Sequence, residues 1–404
     1  MLGYHSDASG PLTTAPDSYY KGWPAPVAGK GRVLDQEKTL AWLKLARVYG
    51  LGPVLGARLL AAFGSAAAVL DASPGSLRRV DGIGDKTAAA IADPAAKRAA
   101  AEAARRDLDR CLETGLDVLT LDDPLYPNPL RSISDPPLVL FVRGRWLPED
   151  ADGVAVVGCR NPDPYGESMA VAIGAGLARW RVTVISGMAR GIDGLAQKAA
   201  LKAGGRSVAV LGTGADVIYP PEHADLYAEL IEKGAVLSEF PPGATPDPPN
   251  FPRRNRIVSG LARGVVMVQA RSMKSGALIT VRHAWEQGRE VFAVPGNAGA
   301  AAAKAGNALI KQGARLIEGP EDVVADVRPI GTLPLEDPPA PSPRLPERDA
   351  RLYALVPAPA EGTIDIDSLA KQAGLSASET SSAMLELELS GLIRSLPGKR
   401  YVRV

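Results

Sequence analysis

Residues 250–256 read NFPRRNR and lead into IVSGLARG, so Phe251 stands beside Arg253, Arg254 and Arg256 in a Pro/Gly-rich loop ahead of an apolar helix. A ring surrounded by guanidinium groups suits single-stranded nucleic acid, because a base stacks on the ring face while positive charge meets the phosphates. The same residues fit a second reading, in which Phe251 packs into a core at the foot of a solvated arginine helix. The heptapeptide alone leaves both open, and the loops around it have to decide between them.

Five glycine-bearing loops follow apolar runs in the central part of the chain. Gly158-Cys159-Arg160-Asn161-Pro162 is followed by Asp163-Pro164, which reads as an N-cap and first helical residue. The further glycines and the acid about 20 residues on that mark a dinucleotide fingerprint are missing. What remains is either an anion site, made of backbone N–H groups, a helix dipole and Arg160, or an ordinary turn with an exposed arginine. In the run from Ser186 to Gly194, SGMARGIDG, Gly187, Gly191 and Gly194 allow another backbone or a phosphate to come close. Arg190 can pair there with an acid or a ligand, and Asp193 reads as a helix cap. Gly212-Thr213-Gly214, Lys274-Ser275-Gly276 and Pro295-Gly296-Asn297 close three more strands. Together the five predict a broad polar groove along one sheet edge.

Catalytic groups at useful spacing are hard to find. Of the three histidines, His5 lies in the N-terminal tail, and His223 and His283 sit in helical patterns without metal-ligand neighbours. There is no Walker A sequence, no G-x-S-x-G elbow and no suitably spaced pair of carboxylates. The groove reads as built to bind, with no metal, cofactor or catalytic residue expected.

The elements that must carry these loops are strands at 153–157, 182–186, 206–211, 235–239, 264–269, 290–294 and 315–317. Helices begin between them near Pro164, Gly191, Pro221, Arg253 and Ser275. Continuous apolar strands alternating with helices imply a Rossmann-like parallel sheet over residues 116–327, with ligands beyond the carboxyl ends of its strands. Ahead of it, 34–115 repeats a Gly-hydrophobic-Gly turn at Gly50-Leu51-Gly52 and Gly82-Ile83-Gly84. This is the pattern of an all-α helix-hairpin-helix domain, whose glycines let backbone N–H groups face a phosphate. Gly82, Gly84 and the nearby Lys86 are the better candidates for such a duplex or backbone contact. Residues 1–33 read as a disordered tail and 328–348 as a proline-rich linker. Residues 349–404 read as a winged helix of three helices and a small hairpin. Its third helix, SASETSSAMLELELSG, bears three glutamates and no Lys or Arg, which suits protein contact better than groove reading.

A chain of 404 residues implies two or three domains. No apolar run of 18 residues occurs, the first residues lack a secretory pattern, and the only cysteines are Cys111 and Cys159. A cytoplasmic protein is expected, with no membrane partner. The net charge of +1 gives no global basic excess, so nucleic-acid binding has to come from local patches.

Taken together, the loops resemble the DNA-processing protein A family (DprA/Smf). The matching stretches include VAVVGCR at 154–160, SGMARGID at 186–193, AVLGTGADVIYP at 209–220, LSEFPPG at 237–243, NFPRRNRIVSGLA at 250–262, SGALIT at 275–280 and EQGREVFAVPGN at 286–297. Cys159 and Met188 depart from the family's usual serine and leucine, and the thiol is a poorer donor than a hydroxyl. The resemblance implies an extended Rossmann fold and a homodimer that binds single-stranded DNA in natural transformation, protects it and helps load the RecA recombinase. Carried over by position, Gly158, Cys159, Arg160, Ser186, Gly187, Arg190, Gly212, Gly214, Phe251, Arg254, Asn255, Arg256, Lys274, Ser275, Gly276, Gly296 and Asn297 line the DNA groove. Phe251 is then the base platform, and Arg254 and Arg256 are its phosphate partners. Two other classes are weighed against this reading. One is a phosphoribohydrolase-like nucleotide enzyme, whose catalytic glutamate has no counterpart in Ser275–Thr280. The other is a duplex-binding regulator acting through the winged helix.

Overall fold

A computed structural model of the chain describes residues 35–327 and 346–403, apart from 358–361, 390, 391, 397 and 399. The expected tail at 1–33 and most of the expected linker at 328–348 lie outside the described residues. The chain separates into two compact units, Met1–Leu335 and Glu336–Val404, and each is taken by itself.

The first unit opens with six helices: α1 (Gln36–Ala46), α2 (Pro53–Phe63), α3 (Ala66–Asp71), α4 (Pro74–Leu77), α5 (Asp85–Ala92) and α6 (Pro94–Thr114). Side chains end several of them cleanly, with Asp35, Ser65 and Asp93 accepting from backbone N–H groups of the first turns of α1, α3 and α6. The helices do not close a core of their own. Trp42, Leu59, Leu77, Ile91 and Cys111 bury themselves together with Leu138, Val139 and Phe141 at the edge of the sheet. Gly56 of α2 lies so near Leu138 that a Cβ there would meet it at 2.5 Å.

Nine strands follow: β1 (Asp117–Thr120), β2 (Val139–Gly144), β3 (Val154–Val157), β4 (Val184–Ser186), β5 (Ser207–Val210), β6 (Ala235–Ser238), β7 (Gly264–Met267), β8 (Glu290–Ala293) and β9 (Arg315–Leu316). The helices among them are α7 (Asn128–Arg131), α8 (Pro164–Arg179), α9 (Ile192–Lys202), α10 (Ala224–Lys233), α11 (Asn250–Leu261), α12 (Ala277–Glu286), α13 (Lys304–Lys311) and α14 (Pro320–Val327). The strand order is β1-β2-β6-β5-β4-β3-β7-β8-β9. Strands β3 to β9 pair in parallel, as their apolar runs and intervening helices require.

The parallel strands expected from sequence are joined at one side by two strands that the sequence reading did not list. β1 pairs β2, and β2 pairs β6, antiparallel. The connection between β1 and β2 holds only the four-residue α7, not the longer helix that usually makes the crossover of a parallel pair. The chain leaves β3 in one direction to build β4, β5 and β6, then returns through α11 to build β7 on the other side. β3 therefore marks a topological switch point, where ligands of open α/β sheets bind.

The second unit holds α15 (Glu347–Leu355), β10 (Ile364–Asp365), α16 (Ile366–Ala373), α17 (Ala377–Leu389), β11 (Ile393–Leu396) and β12 (Arg400–Arg403). Leu352, Leu369, Met384, Leu387 and Ile393 form its core. The short β10, unforeseen in the sequence, joins the hairpin in a three-stranded sheet of order β10-β12-β11. The fold is thus a large, mostly parallel Rossmann-like sheet with a helix-hairpin-helix region before it and a winged helix after it. Among the described residues no helix is long and apolar enough to cross a membrane.

Candidate nucleic-acid interface

Phe251 lies in the first turn of α11, because Pro249 and Pro252 fit a helix start; the sequence reading had left it in the preceding loop. Its ring is half-buried and rests against Gly212 at the end of β5, where a Cβ would meet it at 2.8 Å. The absent side chain at Gly212 therefore accommodates the ring itself. Tyr219 lies beside it, with ring centroids 5.6 Å apart and planes tilted by 44°. Both residues line a cavity of about 490 Å³ at the switch point, within the usual size range of small-ligand clefts. Its walls include Gly158, Cys159 and Arg160 after β3, Gly187 and Asp193 after β4, and Ser275 and Gly276 before α12.

Arg254 forms part of this wall although only 5% of it is exposed. It donates to the carbonyl oxygens of Gly187 (2.9 Å) and Val210 and to the Asn255 amide oxygen (3.3 Å), all uncharged acceptors. Burial pulls its guanidinium down to about 10, with nearby Asp193 opposing the shift and Arg160 adding to it. It is still cationic at neutral pH. Asp193 is likewise buried, and burial pushes its carboxyl up despite the pull of Arg254 and the backbone hydrogen bonds from Gly187 and Ala189. Its Oδ2 accepts from the Gly187 N–H at 3.1 Å, so its carboxylate serves the preceding loop, and α9 has no side-chain cap. The expected cap is corrected accordingly.

Two hydrogen-bonded braces hold the walls. Asn255 Nδ2 donates to Gly276 O at 3.1 Å, tying α11 to the loop before α12. Gln269, beyond β7, accepts from Asp163 N (3.0 Å), donates to Asp163 Oδ1 (2.8 Å), and its carbonyl receives Cys159 N (2.8 Å). This fixes the Gly158–Arg160 loop at the start of α8, which Asp163 caps through Gly166 N. Burial pushes the Cys159 thiol up, so it stays protonated and weakly hydrogen-bonding. Arg160 is exposed at the rim.

Several expected groove residues stand elsewhere. Arg256 is turned away from the cavity and buried against Glu239 (3.0 and 2.7 Å) and Asp135 (2.9 Å). A phosphate would have to displace two carboxylates, which corrects its role as phosphate partner. Ser186 is buried with its hydroxyl donating to Val156 O at 2.6 Å, and Gly214 is packed against the 241–243 turn. Arg190 and Gly212 border a smaller recess beside Phe251. Arg190 pairs there with Glu222, whose carboxyl it pulls down to about 2. Lys274 is exposed one residue from the wall, while Gly296 and Asn297 engage Asn307 and Gly299 outside the cavity lining. In the helical region, Asp81 and Asp85 flank Gly82 and Gly84 and hold Arg58 and Arg78; this lowers the positive charge that a backbone contact there would need, though Lys86 is exposed.

The sequence reading did not single out Tyr219, Gln269 or Arg271. Tyr219 had a signal, an aromatic in the AVLGTGADVIYP stretch of another glycine loop. Arg271 is exposed near Cys159 and Asp163, on which its charge acts.

Comparison with known proteins fits this architecture. The family profile described as DNA recombination-mediator protein A matches residues 117–328, the span of the whole sheet. The chain belongs to that family. The DprA winged helix domain matches 336–399, and a SAM-like helix-hairpin-helix tandem matches 43–97. Protein Smf of Escherichia coli is 43% identical over 291 residues, covering 71% of this chain and 77% of its own length. The X-ray structure of DNA processing protein A (DprA) from Streptococcus pneumoniae superposes with a TM-score of 0.60 at 32% identity. It covers 73% of this chain and 98% of that one. A structure of the Helicobacter pylori protein, described for its single-stranded DNA binding mode, matches at 27% identity with a TM-score of 0.46, covering 52% and 94%. As a DNA recombination-mediator A protein, the chain carries the family's sheet together with both flanking modules.

Proposed function

We propose that the Phe251 cavity binds single-stranded DNA and that the protein acts on such strands in the cytoplasm during transformation and recombination. The observation that carries the reading is an aromatic pair, Phe251 and Tyr219, beside a buried arginine whose hydrogen-bond acceptors are all uncharged. A base stacks on the ring, a contact that tolerates any sequence. Arg254 supplies positive charge from the wall, and exposed Arg160, Arg271 and Lys274 meet phosphates at the rim. The one carboxylate in the wall, Asp193, is engaged with the Gly187 N–H, which favours binding over turnover. Family membership extends the reading to a homodimer that protects the strand and helps load the RecA recombinase onto it.

The test is competition between a single strand and a mixed-sequence duplex at two salt concentrations. The single strand wins, and Arg160→Ala lowers the slope of log affinity against log salt by about 0.7, one phosphate contact. Preference for the duplex, or an unchanged slope, contradicts the reading. Recombinase filament assembly on coated strands tests the loading role separately: wild type accelerates it and Phe251→Ala does not.

A further inference from the structure

On the side of α11 away from the Phe251 cavity lies a second cleft, of about 220 Å³, whose walls come from α11, the end of β6, the start of β2 and the first hairpin of the helical region. Its lining combines apolar Leu43, Leu51, Pro53, Leu138 and Phe240 with charged Arg47, Asp107 and Glu239. The carboxylates that reach it are already held by arginines. Asp107 is bound by Arg47 through contacts of 2.9 and 2.6 Å, and Glu239 is bound by Arg256. Arg253 differs. It is exposed, it lies over the Phe240 ring at 5.4 Å from the centroid, and it has no carboxylate partner among the described residues.

Resting on the single-strand reading of the Phe251 cavity, we infer that Arg253 and this cleft form a second nucleotide subsite on the same strand, reached across the start of α11. Phe251 and Arg253 are two residues apart on one helix, so their side chains point to roughly opposite sides of it, about 200° apart. A strand leaving the Phe251 ring over the first turn of α11 arrives at Arg253. The guanidinium, kept in place by the ring beneath it, then offers its N–H edge to a phosphate, and the following base enters the cleft against Leu43, Leu51, Pro53 and Leu138. Charge complementarity and continuity with the first cavity favour a nucleic-acid strand over a peptide, which would leave Arg253 without an anionic partner.

The experiment measures full-length protein binding to labelled oligothymidylates of two lengths. One is about 4 nucleotides, enough for one cavity, and one is about 10, enough to cross the helix. Wild type binds the longer strand more tightly. Arg253→Ala, an exposed substitution, leaves the short strand within about twofold and removes most of the gain with length, lowering the salt slope for the long strand by about 0.7. Phe240→Leu keeps the apolar filling, removes the ring beneath Arg253 and gives a smaller loss of the same kind. If Arg253→Ala binds both lengths as wild type does while Phe251→Ala is weakened, the second subsite is wrong and the first reading stands. Equal losses at both lengths assign Arg253 to the first cavity and likewise overturn the subsite. If Phe251→Ala is also unaffected, the single-strand reading falls, and the subsite with it.

Discussion

Arg254 and Arg256 stand two residues apart on α11 and are equally buried, each 5% exposed, yet the regions they enter are electrostatic opposites. Arg256 enters a site with two carboxylates, Glu239 beyond β6 and Asp135 before β2, and its charge is consumed in holding those segments together. Arg254 enters the switch point, where carbonyl oxygens of two strand ends and an amide accept its N–H groups. Its charge is left to act on the cavity, moderated by Asp193. The difference teaches that an arginine in a binding motif is assigned its role by the charge state of its acceptors and not by its burial. A buried cation with neutral acceptors still attracts an anion; one with paired carboxylates serves the fold.

The largest expected effect comes from breaking the structural side. Arg256→Ala leaves Glu239 buried without its partner and lowers stability by about 3–5 kcal/mol, read from the midpoint of urea unfolding. Protein that remains folded binds a single strand as before, and a comparable loss of affinity would erase the contrast between the two arginines. Next, Gly212→Ala sets a methyl against the Phe251 ring. Overpacking of this kind costs about 1–3 kcal/mol of stability, and here the displaced ring also weakens single-strand binding. Unfolding and titration measured on one preparation check both, and intact affinity would mean that the ring position is unimportant.

The smallest effect sharpens the comparison through pH. Because burial raises the Asp193 carboxyl above its ordinary value, its contribution to stability is present in acid and is lost as pH rises through the folded value. Binding follows the same sign. As pH falls through that value the carboxylate is neutralised, the positive field of Arg254 is less opposed, and oligothymidylate binds more tightly. Asp193→Asn removes this dependence, and a variant that keeps the wild-type pH profile would dissociate Asp193 from the effect.

Legibility in the sequence followed how local each cause was. Strands β3 to β8 were readable because each is a short apolar run between helical stretches. β1 and β2 were not, since their antiparallel pairing goes with the lack of a long crossover helix between them rather than with their own composition. Of the five glycine loops, three reach the cavity wall, through Gly158, Gly187 and Gly276, while Gly212 borders the smaller recess and Gly296 and Asn297 stand outside the lining. The orientation of the arginines was beyond reach. It depends on α11 beginning at Asn250, with Phe251 already in its first turn, and on carboxylates distant in the chain. Asp193 was misread for a related reason, as an acid near a helix start resembles a cap until its acceptor role toward Gly187 is seen. Tyr219 becomes a neighbour of Phe251 only once β5 and α11 are packed together.

The affinity of Phe251→Ala for a single-stranded oligothymidylate, with the unfolding midpoint measured alongside, tests the central claim most directly. The account predicts a midpoint close to wild type and binding weaker by about 1–3 kcal/mol, the usual contribution of one base stacked on an aromatic ring. Unchanged affinity in a folded variant would contradict it, returning Phe251 to the role of a packing residue at the foot of an arginine helix.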